Sequence, residues 1–227
     1  MAVALTVTLQ KYHVQGDDYV SILNLRRGAF LLPLASLLLS ACATLPSQGP
    51  GKSPDSPQWK QHVNEVKQVQ AFQTRGAFAY ISQRQNVYAR YNWQQSASDR
   101  YRLILTNPLG STEMQLDTQG QTVQLVDNNG KRYTSNNASK MISELTGMNI
   151  PLENLRQWML GLPGTADSFT LNDHYQLRTA TYQQDGQTWH VTINDYKQDV
   201  TPALPADLEL TAGDLKIKLR MDSWKLQ

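Results

Sequence analysis

The chain is 227 residues long and close to neutral, with 21 lysines and arginines against 19 aspartates and glutamates. Proteins that grip nucleic acid usually carry a clear basic excess, which is missing here. A single cysteine excludes a disulfide framework within the chain and any thiolate metal site.

That cysteine closes the only long apolar run. Arg26-Arg27 is followed by Phe30-Leu31-Leu32-Pro33-Leu34-Ala35-Ser36-Leu37-Leu38-Leu39, then Ser40-Ala41-Cys42. A basic flank, an apolar stretch and small residues before a cut site form a secretory signal. The run is too short to cross about 30 Å of hydrocarbon as a helix. Leu39-Ser40-Ala41-Cys42 resembles the bacterial lipobox. In that motif the cysteine thiol receives a diacylglyceryl group, the leader is cut before it, and the new amine is acylated. The alternative is an ordinary signal peptide ending near a buried cysteine. Residues 1–41 are expected to be the leader. Asp17 and Asp18 are out of place in a basic region, which puts the true start near Val20, Leu23 or Leu25, through a non-AUG codon. Acyl chains at roughly 0.8 kcal/mol per buried CH₂ would anchor the mature chain without making it span.

The chain remaining after Ala41 has 186 residues, 18 basic and 17 acidic, enough for one well-cored domain. Residues 42–57 are rich in Gly, Pro and Ser and have no apolar period, the composition of a flexible tether. Residues 58–227 form the expected domain. Ser56-Pro57 opens a helix, with serine as cap and proline in the first turn. Trp59, Val63, Val66 and Val69 give it one narrow apolar stripe.

Strands dominate the chain from residue 75 onward. Residues 75–81, 86–95, 99–106, 112–118, 121–127 and 131–134 are aromatic or β-branched runs separated by turn residues. Ala89, Tyr91 and Trp93 share a face with Val87, and Tyr101, Leu103 and Leu105 share another. Two helices interrupt the strands. One runs from Asn137 to Thr146 and stops at Gly147; the other starts at Pro151 and presents Leu152, Leu155, Trp158, Met159 and Leu162. Strands resume at 175–180, 181–184, 188–194, 208–211, 215–221 and 224–227. A sheet this large tends to curl. The expected fold is mainly β: an antiparallel sheet of about eleven strands, strongly curved into a barrel or half-barrel with helices over one side.

Little in the chain suggests catalysis. His62, His174 and His190 belong to no metal-binding spacing, and there is no nucleophile elbow or phosphate-cradling loop. His174 beside Asp173 reads as a solvated turn. Arg84, Arg90, Arg100 and Arg102 crowd one region, where cross-strand ion pairing is favoured over an anion site. One stretch stands apart: Leu105-Thr-Asn-Pro-Leu-Gly-Ser-Thr-Glu113. Asn107-Pro108 and Gly110 make a surface turn and leave Leu109 at its tip, at the expense of about 1.5–3 kcal/mol of burial. Single exposed leucines are common, so incidental exposure and a functional tip both remain open on these grounds.

The chain resembles the LolB family, outer-membrane lipoprotein receptors of Gram-negative bacteria. The resemblance is carried by Gly49-Pro-Gly-Lys-Ser-Pro-Asp-Ser-Pro-Gln-Trp59, Tyr101-Arg102 and Thr106-Asn-Pro-Leu-Gly-Ser-Thr-Glu113. It continues through Leu145-Thr-Gly-Met148, Leu155-Arg-Gln-Trp158 and Leu160-Gly-Leu-Pro-Gly164. The resemblance implies an unclosed antiparallel β-barrel of about eleven strands with a helical lid enclosing an apolar cavity. It implies that lipoproteins are accepted from the periplasmic carrier LolA, their acyl chains passing into the apolar cavity, and inserted into the inner leaflet of the outer membrane without nucleotide. Leu109, flanked by Pro108 and Gly110, takes the family's protruding-loop position, with a role in membrane insertion. Trp93, Trp158, Met159, Leu162 and Trp189 are candidate cavity lining or dry core. Ala43, not aspartate, follows the cysteine, resembling the enteric pattern for outer-membrane lipoproteins. No cofactor is expected beyond N-acyl and S-diacylglyceryl groups on Cys42, and partners are LolA, substrate lipoproteins and outer-membrane phospholipid, with a monomeric chain. The alternatives are a lipid binder that does not transfer its ligand and a structural envelope lipoprotein.

Overall fold

The computed structural model describes residues 52–184 and 186–227. Cys42, the leader, and the part of the tether before residue 52 lie outside the described residues. Helix α1 (Pro57–Lys67) starts where capping chemistry places it. The Ser56 hydroxyl accepts from the Trp59 amide and proline occupies the first turn, satisfying one of the free amides there. Trp59 and Val66 are its buried residues.

Eleven strands follow in one antiparallel sheet: β1 (Phe72–Ile81), β2 (Asn86–Ala97), β3 (Arg100–Thr106), β4 (Thr112–Gln119), β5 (Thr122–Asp127), β6 (Arg132–Ser135), β7 (Ser168–Leu171), β8 (Leu177–Gln184), β9 (Gln187–Lys197), β10 (Leu204–Ala212) and β11 (Leu215–Leu226). Their order is β6-β5-β4-β3-β2-β1-β11-β10-β9-β8-β7. The first strand thus lies beside the last at the sheet's centre, while β6 and β7 are its two free edges. Helices α2 (Ala138–Thr146) and α3 (Leu152–Met159) occur between those edge strands in sequence. The sheet is unclosed, as expected.

The observed strands differ from the expected ones in three places. β11 is continuous, although Asp222-Ser223 reads as a break, because β1 and β11 shift register between Arg75 and Gly76. The extra residue puts Asp222 and Ser223 both outward, and alternation resumes at Trp224. A Cβ on Gly76 would overlap the Arg220 carbonyl oxygen and lie 2.8 Å from its carbon, so the bulge requires glycine. β8 is likewise one strand, not two. β7 is a four-residue edge strand too short to read from its pattern.

One continuous hydrophobic core runs from Trp59 to Leu226 and joins both halves of the sheet to all three helices. α2 is capped by the Asn137 side chain at one end and by left-handed Gly147 at the other. α3 has no side-chain cap at its N-terminus. Among the described residues, no helix is long and apolar enough to cross a membrane.

Candidate acyl-chain site and protruding loop

The inner faces of β1 to β4 and β11 meet α2 and α3 around a small void of about 30 Å³. Phe78, Tyr91, Trp93, Leu105, Met114 and Leu219 form its sheet side, and Ile142, Met148, Ile150, Leu152 and Leu155 its cover. Strand alternation explains the sheet side: residues two apart on β2 and β3 point the same way. The void is about the size of one water molecule.

Of the five residues singled out for a cavity, Trp93 lines this void. Trp158, Met159, Leu162 and Trp189 are buried in the same core but stand apart from the void's wall. Their separation follows from α3. Its first turn, with Leu152 and Leu155, covers β1 to β4, whereas its last turn is over the other half of the sheet. There Trp158 meets Tyr182 edge-on with ring centres 5.9 Å apart and donates from Nε1 to the Pro163 carbonyl at 3.1 Å. Tyr91, Met114, Ile142 and Met148 were not singled out from the sequence. The shared face of Tyr91 and Trp93 was legible, but not which helix would cover it.

At one end of the sheet the β3–β4 loop holds Leu109 out at 93% exposure. Asn107 builds this loop. Its Oδ1 accepts from the amides of Leu109 and Ser111, both at 3.0 Å, and its Nδ2 donates to Glu113 at 2.8 Å. The Asn107 carbonyl accepts from Gly110 at 2.9 Å, and Gly110 adopts a φ of 90°, which glycine alone takes without strain. Pro108 and Gly110 thus flank a leucine held up by hydrogen bonds of its own loop. Among the described residues two more large hydrophobics are exposed, Tyr88 near the start of β2 and Leu145 near the end of α2. Gln85, in the β1–β2 turn, donates to the Thr146 carbonyl at 3.0 Å, so that helix end is tied to the same end of the sheet.

Of the four arginines singled out from the sequence, Arg90 and Arg102 form cross-strand ion pairs on the wet face. Arg90 meets Asp222 at 2.8 Å and Arg102 meets Asp117 at 2.5 Å. The Arg220 hydrogen bond, with Arg90 adding to it, holds the Asp222 carboxyl below the usual range despite some burial. His174 and His190 are exposed. His62 is half-buried beside Trp59, and burial holds its pKa below 6.5 against the pull of Glu65. Among the described residues no cluster of His, Cys, Asp or Glu could hold a metal ion.

The sequence profile of a family described as outer membrane lipoprotein LolB matches residues 70–224. An outer-membrane lipoprotein LolB of Erwinia tasmaniensis is 61% identical over 204 residues, covering 89% of this chain and 98% of that protein. Its counterpart in Yersinia enterocolitica is 59% identical, covering 87% and 95%. In structure the chain is similar to a LolA superfamily protein from Nitrosomonas europaea. That likeness has a TM-score of 0.50 at 10% identity, over 74% of this chain and 93% of the other, and it speaks to the fold.

Proposed function

The chain belongs to the LolB family of outer-membrane lipoproteins, and from that premise we propose that it is a lipoprotein receptor. It accepts lipoproteins from the periplasmic carrier LolA, takes their acyl chains under α2 and α3, and releases them into the inner leaflet of the outer membrane. Lipid on Cys42 anchors it at the periplasmic face through the tether that precedes α1. No catalytic step is assigned to it.

The observation that carries this reading is the apolar void between the sheet and two short helices. At about 30 Å³ it is far below the roughly 300–1,000 Å³ of a small-molecule site, so α2 and α3 move outward when chains enter. Both helices are short enough to move: α2 has nine residues and α3 eight. Support for the release step comes from Leu109, whose apolar side chain stands in water at the same sheet end as Tyr88 and Leu145.

The test uses the domain from Ala43 onward, lipoprotein-loaded carrier and phospholipid vesicles, with the lipoprotein followed in all three fractions. It is expected to pass from carrier to domain and then to vesicles. A domain that takes nothing from the carrier refutes the receptor reading. In that case the chain is a structural lipoprotein or binds a different lipid.

A further inference from the structure

Six buried side-chain polar atoms have no hydrogen-bond partner among the described residues: His62 Nε2, Thr74 Oγ1, Tyr91 Oη, Trp93 Nε1, Gln95 Oε1 and Arg156 Nε. Each such atom costs about 1–3 kcal/mol, and buried polar groups are nearly always paired. All but His62 fall in one place. Thr74 pairs with Trp93 across β1 and β2, and Gly76 with Tyr91. Gln95 is two residues farther along the same face. Trp93 stacks on Tyr101 with ring centres 4.6 Å apart, and the Arg156 guanidinium lies over the Tyr101 ring, 5.8 Å from its centre.

The row runs from the apolar void toward the β2–β3 end of the sheet. Tyr91 and Trp93 line the void. Gln95 and Tyr101 also border an open cleft of about 680 Å³ at the rim of the sheet, shared with outward-facing Gln94, Arg102 and Asp117. That cleft is at the β2–β3 turn, the opposite end of the sheet from Leu109. Two of the unpartnered groups, on Tyr91 and Trp93, thus belong to residues of the void's own wall, and Thr74 and Gln95 continue the row beyond it.

The chemistry of the row is selective. The Trp93 indole N–H can only donate, so it calls for an acceptor such as a carbonyl oxygen. Gln95 already donates from Nε2 to the Gln70 carbonyl at 3.0 Å, which fixes its Oε1 as an acceptor and calls for an N–H. The Thr74 and Tyr91 hydroxyls can serve either way. Burial raises the Tyr91 pKa, and Thr74 is near enough to temper that rise without forming a bond of hydrogen-bonding geometry.

We infer that Thr74, Tyr91, Trp93 and Gln95 form a polar subsite for the carbonyl-bearing linkage of an acylated ligand, whose chains extend from there into the void. An ester offers acceptors only, whereas an acyl amide offers both a C=O and an N–H. The amide of an N-acylated, lipid-bearing cysteine therefore fits the row better than the two esters of a glycerophospholipid. This inference rests on the acyl-chain reading of the void.

The test measures binding of three probes to the domain from Ala43 onward, whose core lies wholly between Trp59 and Leu226. The probes are an N-palmitoyl-S-dipalmitoylglyceryl-cysteinyl peptide, its reduced analogue with ethers in place of the two esters and a neutral CH₂–CH₂ unit in place of the N-acyl amide, and dipalmitoylphosphatidylglycerol. Wild type is compared with a Thr74→Val, Tyr91→Phe double variant, which removes both hydroxyls at nearly constant volume. The double variant is expected to weaken the lipopeptide about tenfold, leave the reduced analogue unchanged, and melt no lower than wild type without ligand. A lower melting temperature with equal weakening of both probes would make the hydroxyls structural and overturn the subsite. So would lipopeptide binding that the double variant does not change. Equal wild-type affinity for lipopeptide and phospholipid would overturn the amide assignment. A wild-type domain that binds neither the lipopeptide nor its reduced analogue refutes the acyl-chain reading itself.

Discussion

Leu109 allows folding and delivery to be separated in one side chain. At 93% exposure it contributes almost no buried area to the domain. The Asn107 hydrogen bonds that shape its loop involve only the Leu109 backbone. Leu109→Ala and Leu109→Glu are therefore expected to change unfolding stability by less than about 0.5 kcal/mol. In a bilayer the arithmetic reverses. Moving a leucine from water into hydrocarbon yields about 1.5–3 kcal/mol, roughly ten- to hundredfold in partitioning. A carboxylate in its place adds an opposing cost of comparable size. Thermal unfolding and vesicle co-sedimentation of the unanchored domain measure the two sides, and single-turnover delivery from a loaded domain measures the consequence. Leu109→Glu should melt like wild type, load like wild type, sediment at least tenfold less with vesicles, and deliver slowly. Unchanged sedimentation and delivery would refute the reasoning, as would a melting temperature lowered by several degrees.

Gly76→Ala should cost more than about 3 kcal/mol, because the new Cβ meets backbone and not a movable side chain; denaturant unfolding reads this, and a loss below about 1 kcal/mol would mean the bulge can relax. His62, whose pKa is lowered by burial, is protonated more readily in the unfolded chain, so stability should fall as pH drops below 6.5. His62→Leu should flatten that part of a melting-temperature profile, and an unchanged slope would assign it to other groups. Arg156 donates to the Ser98 carbonyl in the β2–β3 turn and covers Tyr101, fastening α3 to the sheet. Arg156→Leu should speed amide exchange in residues 152–159 by about tenfold while β9 and β10 keep their protection. Uniform acceleration across the domain would instead indicate global destabilisation.

Local chemistry was the legible part of this fold. Ser56, Asn137 and Gly147 announce helix ends because caps satisfy backbone groups within a few residues. Asn107-Pro-Leu-Gly110 announces a turn for the same reason, and with it the exposure of Leu109. The unclosed eleven-stranded sheet followed from strand count and resemblance together. Long-range pairing was not legible. Asp222-Ser223 looks like a strand end because the residue that bulges is identifiable only once Gly76 is placed against Arg220. Trp158 and Leu155 look equivalent along α3, yet they cover different halves of the sheet, which no periodicity encodes. The orphan row was hidden too: Thr74 falls just before the expected strand of residues 75–81, and Gln95 reads as an ordinary strand residue until its partners can be counted.

The seating of β1 beside β11 has a consequence for how the protein is made. A chain leaving a ribosome or a secretion channel N-terminus first can zip β1 through β6 as successive hairpins. It cannot cover the other edge of β1 until β11, the last twelve-residue strand, is free to join it. The most sequence-distant pairing is thus the one at the middle of the sheet, and such pairings form slowly. β11 acts as a keystone that arrives last. A half-sheet of β1 to β6 lacks the strands that complete its core in the finished fold, and exposed oily surface of that kind is what chaperones hold and proteases cut.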